Sequence, residues 1–329
     1  PAAVALPFAL SDEMRRWAHQ TAPPRLPAEL KLDRLVTGLL ESDELALEYS
    51  WGYTGTAREV FENHRANCLA FTNLFLGMAR EVGVPVYFLG VATETYRKQE
   101  DFVVVSDHIA IGYGAGSEIL MFDFGENPGQ DYPDVRRISD LTAVAMFHSN
   151  RGTELLQQGQ ISEALRWLRA AAALDPELAT AWVNLGVALR RSGDLAAAEE
   201  AYRTALALDP RTYSAYQNLA SVLRLGGRVA EAREFELALS KSPNKNPFTY
   251  LSLGDISFRS GRLEEARKLY RRAVSLNRRH AESYAALGQL AVVQGDLTTA
   301  RRMLKKARRL DDGNQRAVKL ASMISSHWG

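Results

Sequence analysis

One cysteine, Cys68, follows the polar run Asn63-His64-Arg65-Ala66-Asn67 and opens a stretch in which Phe71, Phe75, Met78 and Val82 recur at helical spacing. A thiol placed at a helix start has particular chemistry open to it. Its reactive form is the thiolate, and a helix N-terminus with a neighbouring imidazolium lowers a cysteine pKa from about 8.5 into a range of roughly 3.5 to 7.5. The same helix end presents backbone N–H groups, that of Cys68 first, which could receive the oxyanion of a tetrahedral intermediate. A lone cysteine excludes an internal disulfide. The histidines show no metal-ligand spacing, so neither a metal nor another cofactor is expected.

The elements that must bring a base to that thiol lie downstream. Gly83-Val84-Pro85 ends the Cys68 helix, and the pattern then changes to strands at Val86–Val91, Val103–Tyr113 and Glu118–Phe124. Gly114-Ala115-Gly116-Ser117 reads as a hairpin between the last two. With the turn centred between Ala115 and Gly116, His108 lies directly opposite Asp123, at a Cβ separation of about 4.5–5.5 Å. Ile109, Ile111, Leu120 and Phe122 then face the core, and a register slip of one residue would undo the pairing. Asp123 stands between two phenylalanines, where an unpaired carboxylate costs several kcal/mol, so it needs a partner. His64, four residues before Cys68, is a rival base for which a surface or hinge role is expected.

Upstream, Ser11 begins a short helix ended by Pro23-Pro24-Arg25-Leu26-Pro27, Ala28–Leu40 reads as a second, and Thr56-Ala57-Arg58-Glu59 has the form of a capping box. A cysteine opening a helix, followed by Asp107-His108-Ile109 and Phe122-Asp123-Phe124 on strands, resembles the transglutaminase-like branch of the papain-type cysteine enzymes over about residues 43–140. The resemblance implies an α+β domain in which Cys68 is the nucleophile, His108 its general base and acid, and Asp123 the group that fixes the histidine tautomer. It implies attack on a peptide or carboxamide carbonyl to give a thioester, released to water by a peptidase or amidase, or to an amine by an acyltransferase. It also implies a second oxyanion donor upstream, for which Trp51, Tyr53 and Asn63 are the choices. The competing expectation is a degenerate domain of this fold serving an interaction scaffold.

Beyond residue 144 a 34-residue period takes over. Gly152, Gly186, Ala220, Gly254 and Gly288 form one column, Gly159, Gly193, Gly227, Gly261 and Gly295 a second, and Ala164, Ala198, Ala232, Ala266 and Ala300 a third. Small residues at fixed spacing let the helices of a hairpin approach and turn. Trp182, Leu185, Gly186, Gly193, Ala198, Tyr202, Ala205 and Pro210 resemble the tetratricopeptide (TPR) signature. The expected layout is therefore a transglutaminase-like domain at 1–144 and an all-α TPR solenoid at 145–329, with five repeats and a capping helix at Gln315–Trp328.

In such a solenoid the first helix of each hairpin faces a groove. Asn150, Asn184 and Asn218 stand 34 apart and resemble an asparagine ladder for an extended peptide; the alternative is that their amides satisfy neighbouring turns. Arg190, Gln217, Arg224, Phe248, Leu251, Phe258 and Arg259 are the other expected groove residues. Residues 1–144 carry 12 Lys/Arg against 21 Asp/Glu, and 145–329 carry 28 against 18, an acidic half joined to a basic one. The basic face is expected to be solvated repeat surface, with a protein or peptide as partner and no nucleic acid. No apolar run is long enough to span a bilayer. Pro1–Leu10 is not an intact signal peptide, and the resemblance points to the cell envelope after removal of an upstream export signal or lipid anchor, although a free thiol suits the cytoplasm equally.

Overall fold

The computed structural model describes residues 6–42, 45–50, 52–99, 102–114, 118–125, 132, 134–243 and 246–326, with the backbone path alone at 92–99 and 102–107. Trp51, the turn at Ala115-Gly116, His327 and Trp328 lie outside them.

Local chemistry sets the helices of the first part. α1 (Asp12–Thr21) starts at a Ser11 cap, α2 covers Ala28–Glu41, and α3 (Ala57–Asn63) opens with the capping box of Thr56 and Glu59. There the Glu59 N–H donates to Thr56 Oγ1 (3.3 Å) and the Thr56 N–H to Glu59 Oε2 (2.7 Å). α3 ends at His64, which is exposed and left-handed at φ 56°. α4 runs Cys68–Glu81 from an Asn67 cap, and Phe71, Phe75, Met78 and Val82 are all buried.

Two short strands, β1 (Glu48–Tyr49) and β2 (Arg65–Ala66), pair in parallel beside α3. A separate sheet has the order β5-β4-β3-β6, from β3 (Tyr87–Gln99), β4 (Phe102–Tyr113), β5 (Leu120–Phe122) and β6 (Val135–Arg137). All its pairs are antiparallel, and an irregularity separates Val91 from Glu94. The β4–β5 register is two residues from the expected one: Ile111 faces Phe122 and Tyr113 faces Leu120. Ile109 and Ile111 are buried as expected, whereas Leu120, on the edge strand, is 47% exposed.

Five helical hairpins follow: α5 (Asp140–Gln157) with α6 (Ile161–Leu174), α7 (Ala179–Arg191) with α8 (Leu195–Leu208), α9 (Tyr213–Leu225) with α10 (Val229–Lys241), α11 (Pro247–Arg259) with α12 (Leu263–Leu276), and α13 (Ala281–Val293) with α14 (Leu297–Leu310). α15 (Gln315–Ser325) closes the last, burying Ala317, Leu320 and Ile324. The glycine columns divide into two physical roles. Gly159, Gly193, Gly227, Gly261 and Gly295 lie at φ 73–91°, where a side chain is strained, and end the first helix of each hairpin. Gly186 and Gly254 instead admit a tyrosine: a Cβ there would sit 2.5 Å from the Tyr202 ring and 2.4 Å from that of Tyr270. The alanine column is fully buried throughout.

Packing divides the chain after Thr212, into units of 1–212 and 213–329. The first two hairpins share the core of the N-terminal part, since Ala171, Leu178 and Ala181 join one cluster with Leu74, Phe75, Phe88 and Ile109. α7 also packs against β4.

Candidate functional site

Cys68 is partly exposed at the first turn of α4. Asn67 Oδ1 accepts the Ala70 N–H at 2.9 Å, and the Cys68 N–H is one of the helix-start donors without an intrahelical acceptor. From β4, His108 Nε2 lies 2.7 Å from Asp123 Oδ1, and both side chains are largely sequestered, at 11% and 4% exposure. Asp123 reaches the ring from just beyond the end of β5. The two-residue register offset preserves the meeting because strand side chains alternate with period two, so Asp123 stays on the face of His108 as a diagonal neighbour.

Aromatic packing fixes the segment that carries the carboxylate. Phe124 stacks on Phe71 (centroids 4.1 Å apart) and meets Phe75 edge-on (5.2 Å), while Phe122 lies 5.3 Å from Phe75. The residues on either side of Asp123 are thus anchored to the helix that begins with the thiol. Two groups that the sequence did not single out complete the arrangement. The Gly125 N–H donates to Asp123 Oδ1 (2.8 Å) and the Tyr132 hydroxyl donates to Oδ2. Gly125 also lies close under the imidazole: a Cβ there would be 2.7 Å from His108 Cε1. The sequence signal was the glycine immediately after Phe122-Asp123-Phe124; for Tyr132, isolated beyond a loop, there was none.

The electrostatics follow from these contacts. Burial opposes a charge on His108, but hydrogen bonds to Asp123 and to the Cys68 thiol, with the attraction of both groups, outweigh it and push the pKa up to about 9. Burial likewise works against the Asp123 carboxylate, and donation from His108, Tyr132 and Gly125 overcomes it, holding the carboxyl below its usual range. Asp123 occupies Nε2, so Nδ1 is the ring nitrogen left for the thiol. Of the expected oxyanion donors, Asn63 is committed elsewhere, its Nδ2 donating to Tyr53 Oη (3.0 Å) and Glu59 O (2.8 Å). Tyr53 sits at the cap of α4, its carbonyl accepting the Asn67 N–H (3.2 Å). His108 also opens on a cavity of about 330 Å³ whose walls are the sheet (Gly90, Val91, Arg136), α5 (Thr142, Met146), the start of α7 with the residues before it (177–180), and the end of α8 with the residues after it (208–212).

The expected groove residues fare differently. Asn184 is 1% exposed and its Nδ2 donates to Ser149 Oγ at 3.0 Å; Asn218 is fully buried, and Asn150 is half-buried. The Asn184 amide is thus engaged with the preceding first helix, the alternative to an open ladder that side-chain amides commonly take. Gln217 is buried, and Arg224 donates from Nε and Nη2 to the two carboxylate oxygens of Glu236 (2.6 and 2.9 Å). Leu251 is corrected from groove to core, at 0% exposure. Phe258 packs on that core, Phe248 meets His280 edge-on (4.5 Å), Arg190 is half-buried, and Arg259 is exposed.

The tetratricopeptide repeat family matches residues 149–211, 188–246 and 251–315. Residues 149–315 form a tetratricopeptide repeat array. Among solved structures, pilF of Pseudomonas aeruginosa is 23% identical, with 58% of this chain and 86% of that one covered at a TM-score of 0.50, a likeness of TPR fold. The APC/C hetero-tetramer Cut9-Hcn1 is 22% identical at a TM-score of 0.46; 56% of this chain is covered, and it spans 36% of that one. YrrB, a TPR protein with an unusual peptide-binding site, is 18% identical at 0.40, with 54% of this chain and 92% of that one covered. No curated protein matches the chain. No helix among the described residues is long and apolar enough to cross a membrane.

Proposed function

We propose that the chain is a TPR interaction protein carrying a thiol acyl-transfer centre, with Cys68 as nucleophile, His108 as proton carrier and Asp123 as the group that orients it. The observation that supports this reading is the series of Cys68 at a helix start, His108 beyond it, and Asp123 held by three donors. In the proposed step the sulfur attacks an amide carbonyl, the oxyanion forms at the first turn of α4, and protonated His108 gives its proton to the leaving amine. The product is a thioester on Cys68. His108, now neutral, takes a proton from water or from an incoming amine, which attacks the thioester, releases the acyl group and returns the sulfur and the protonated ring to their starting state. A ring that keeps its proton up to about pH 9 suits the first of these transfers. The cavity beside His108 would take the residue flanking the scissile amide.

A second reading is favoured by the family match, which begins only at residue 149: an interaction scaffold whose N-terminal part does no chemistry. One experiment separates the two. Peptide carboxamides and peptides are offered to the chain, acid-quenched samples are weighed intact, and released ammonia or amine is measured. An acyl adduct removed by hydroxylamine and absent in Cys68→Ala supports the enzyme. Release and adduct both at the level of Cys68→Ala across a broad peptide set support the scaffold.

A further inference from the structure

The first repeat reaches the helix of the nucleophile through a buried chain of hydrogen bonds. Glu154, on α5, accepts at Oε1 from the Thr54 backbone N–H (2.7 Å) and from the Thr54 hydroxyl (2.5 Å), across 100 residues of sequence. Thr54 is fully buried, and its hydroxyl oxygen accepts from Asn67 Nδ2 at 2.6 Å. Asn67 is the cap of α4 and stands next to Cys68. Each member is used in one direction: a threonine hydroxyl has one hydrogen, here given to Glu154, so toward Asn67 it acts as acceptor.

That direction has a consequence for the cap. An asparagine amide turned by 180° would set its NH₂ against the Ala70 N–H and leave the helix start uncapped. The Thr54 oxygen accepts only from Nδ2, so it selects the orientation in which Oδ1 meets Ala70. Glu154 in turn holds the Thr54 hydroxyl. Its carboxylate is only 12% exposed, with Arg151 Nη1 3.7 Å from the other oxygen, and burying it costs free energy that a purely local turn would not require.

We infer that Glu154 is a positioning residue for the Cys68 centre: through Thr54 and Asn67 it sets the cap of α4, and with it the sulfur and N–H of Cys68, so that the first repeat is a working part of the thiol site. This rests on the thiol-enzyme reading above. Because the chain has one cysteine, alkylation by iodoacetamide followed by intact mass reports Cys68 alone. The rate is measured from pH 6 to 9.5 on folded full-length wild type, Glu154→Ala, Glu154→Gln, Thr54→Val, His108→Gln and Leu168→Ala. Leu168 is a buried residue under Gly152 whose loss weakens the first repeat without touching the chain of bonds.

Glu154→Ala and Thr54→Val are expected to slow alkylation at pH 7 by about tenfold, the size of one lost hydrogen bond to a charged group, and to displace the pH profile. Glu154→Gln, whose carbonyl oxygen still accepts both bonds, stays within about twofold of wild type. Should Glu154→Ala fail to fold, Thr54→Val carries the same test. A wild-type profile in the variants that break the chain, or an equal loss in Leu168→Ala, overturns the positioning role. If instead His108→Gln leaves the wild-type profile unchanged, the thiol-enzyme reading itself falls, which is a separate outcome.

Discussion

Replacing Asp123 by Asn tests the electrostatics of the site with the least change of shape. The amide keeps an oxygen for the Gly125 N–H, now 2.8 Å from Oδ1, but withdraws the charge that His108 Nε2–H meets at 2.7 Å. A hydrogen bond to a charged group contributes about 1.5–3 kcal/mol, and one pKa unit corresponds to about 1.4 kcal/mol, so the histidine pKa should fall by about one to two units. From about 9 in the native site it would come to roughly 7–8. Cys68 still raises it and burial still lowers it, which limits how far it falls. The assay is NMR titration of the ring Hε1 signals, with His108 assigned by its absence from His108→Gln. A second signature is thermodynamic. The folded ring keeps its proton to about 9, whereas an unfolded histidine releases it near 6.5, so the stability this group supplies is fully present below about 6.5 and is lost as pH rises through about 9. In Asp123→Asn that decline becomes shallower and ends at lower pH. A His108 that still titrates near 9 in the variant would refute the assignment of Asp123 as its main support.

Three further outcomes follow from the geometry. Gly125→Ala places a methyl 2.7 Å from His108 Cε1, so it should displace the ring and slow Cys68 alkylation at pH 7 several-fold with little loss of stability; a wild-type rate would contradict it. Gly254→Ala drives a Cβ to 2.4 Å from Tyr270, whose hydroxyl is tied to Asp255 (2.8 Å), and should cost about 1–3 kcal/mol in urea unfolding, whereas Gly226→Ala, whose Cβ meets nothing within 3.5 Å, should cost almost nothing; equal midpoints would contradict the packing argument. Asn184→Ala removes a buried bond to Ser149 and should lower stability by about 1 kcal/mol, and peptide affinity lost at unchanged stability would restore the ladder.

Most of the repeat array could be read in advance because its determinants are single residues at fixed spacing: a left-handed turn admits Gly193 or Gly227, and a tyrosine ring needs Gly186 beneath it. The Thr56–Glu59 box and the Asn67–Cys68 helix start were legible for the same reason, being local chemistry. Contacts made only in three dimensions were not. The β4–β5 register came out two residues away because composition did not give the length of the turn, and β6, a three-residue strand containing Arg136 and Arg137, has no strand-like pattern. The asparagine column shows why periodicity alone does not separate binding from packing: one 34-residue spacing serves a peptide in a groove and a bond to Ser149 equally well. Nor did the sequence pattern reveal that Glu154, on α5, binds Thr54, or that residues at 177–180 and 208–212 share a cavity wall with His108.

The most direct test is the rate at which iodoacetamide modifies Cys68 between pH 6 and 9.5 in the wild type and in His108→Gln. Partnership between sulfur and imidazole predicts fast modification at neutral pH that the substitution abolishes, leaving the steep alkaline rise of an ordinary thiol. Identical profiles in the two proteins, or a sulfur that reacts only after unfolding, would contradict it.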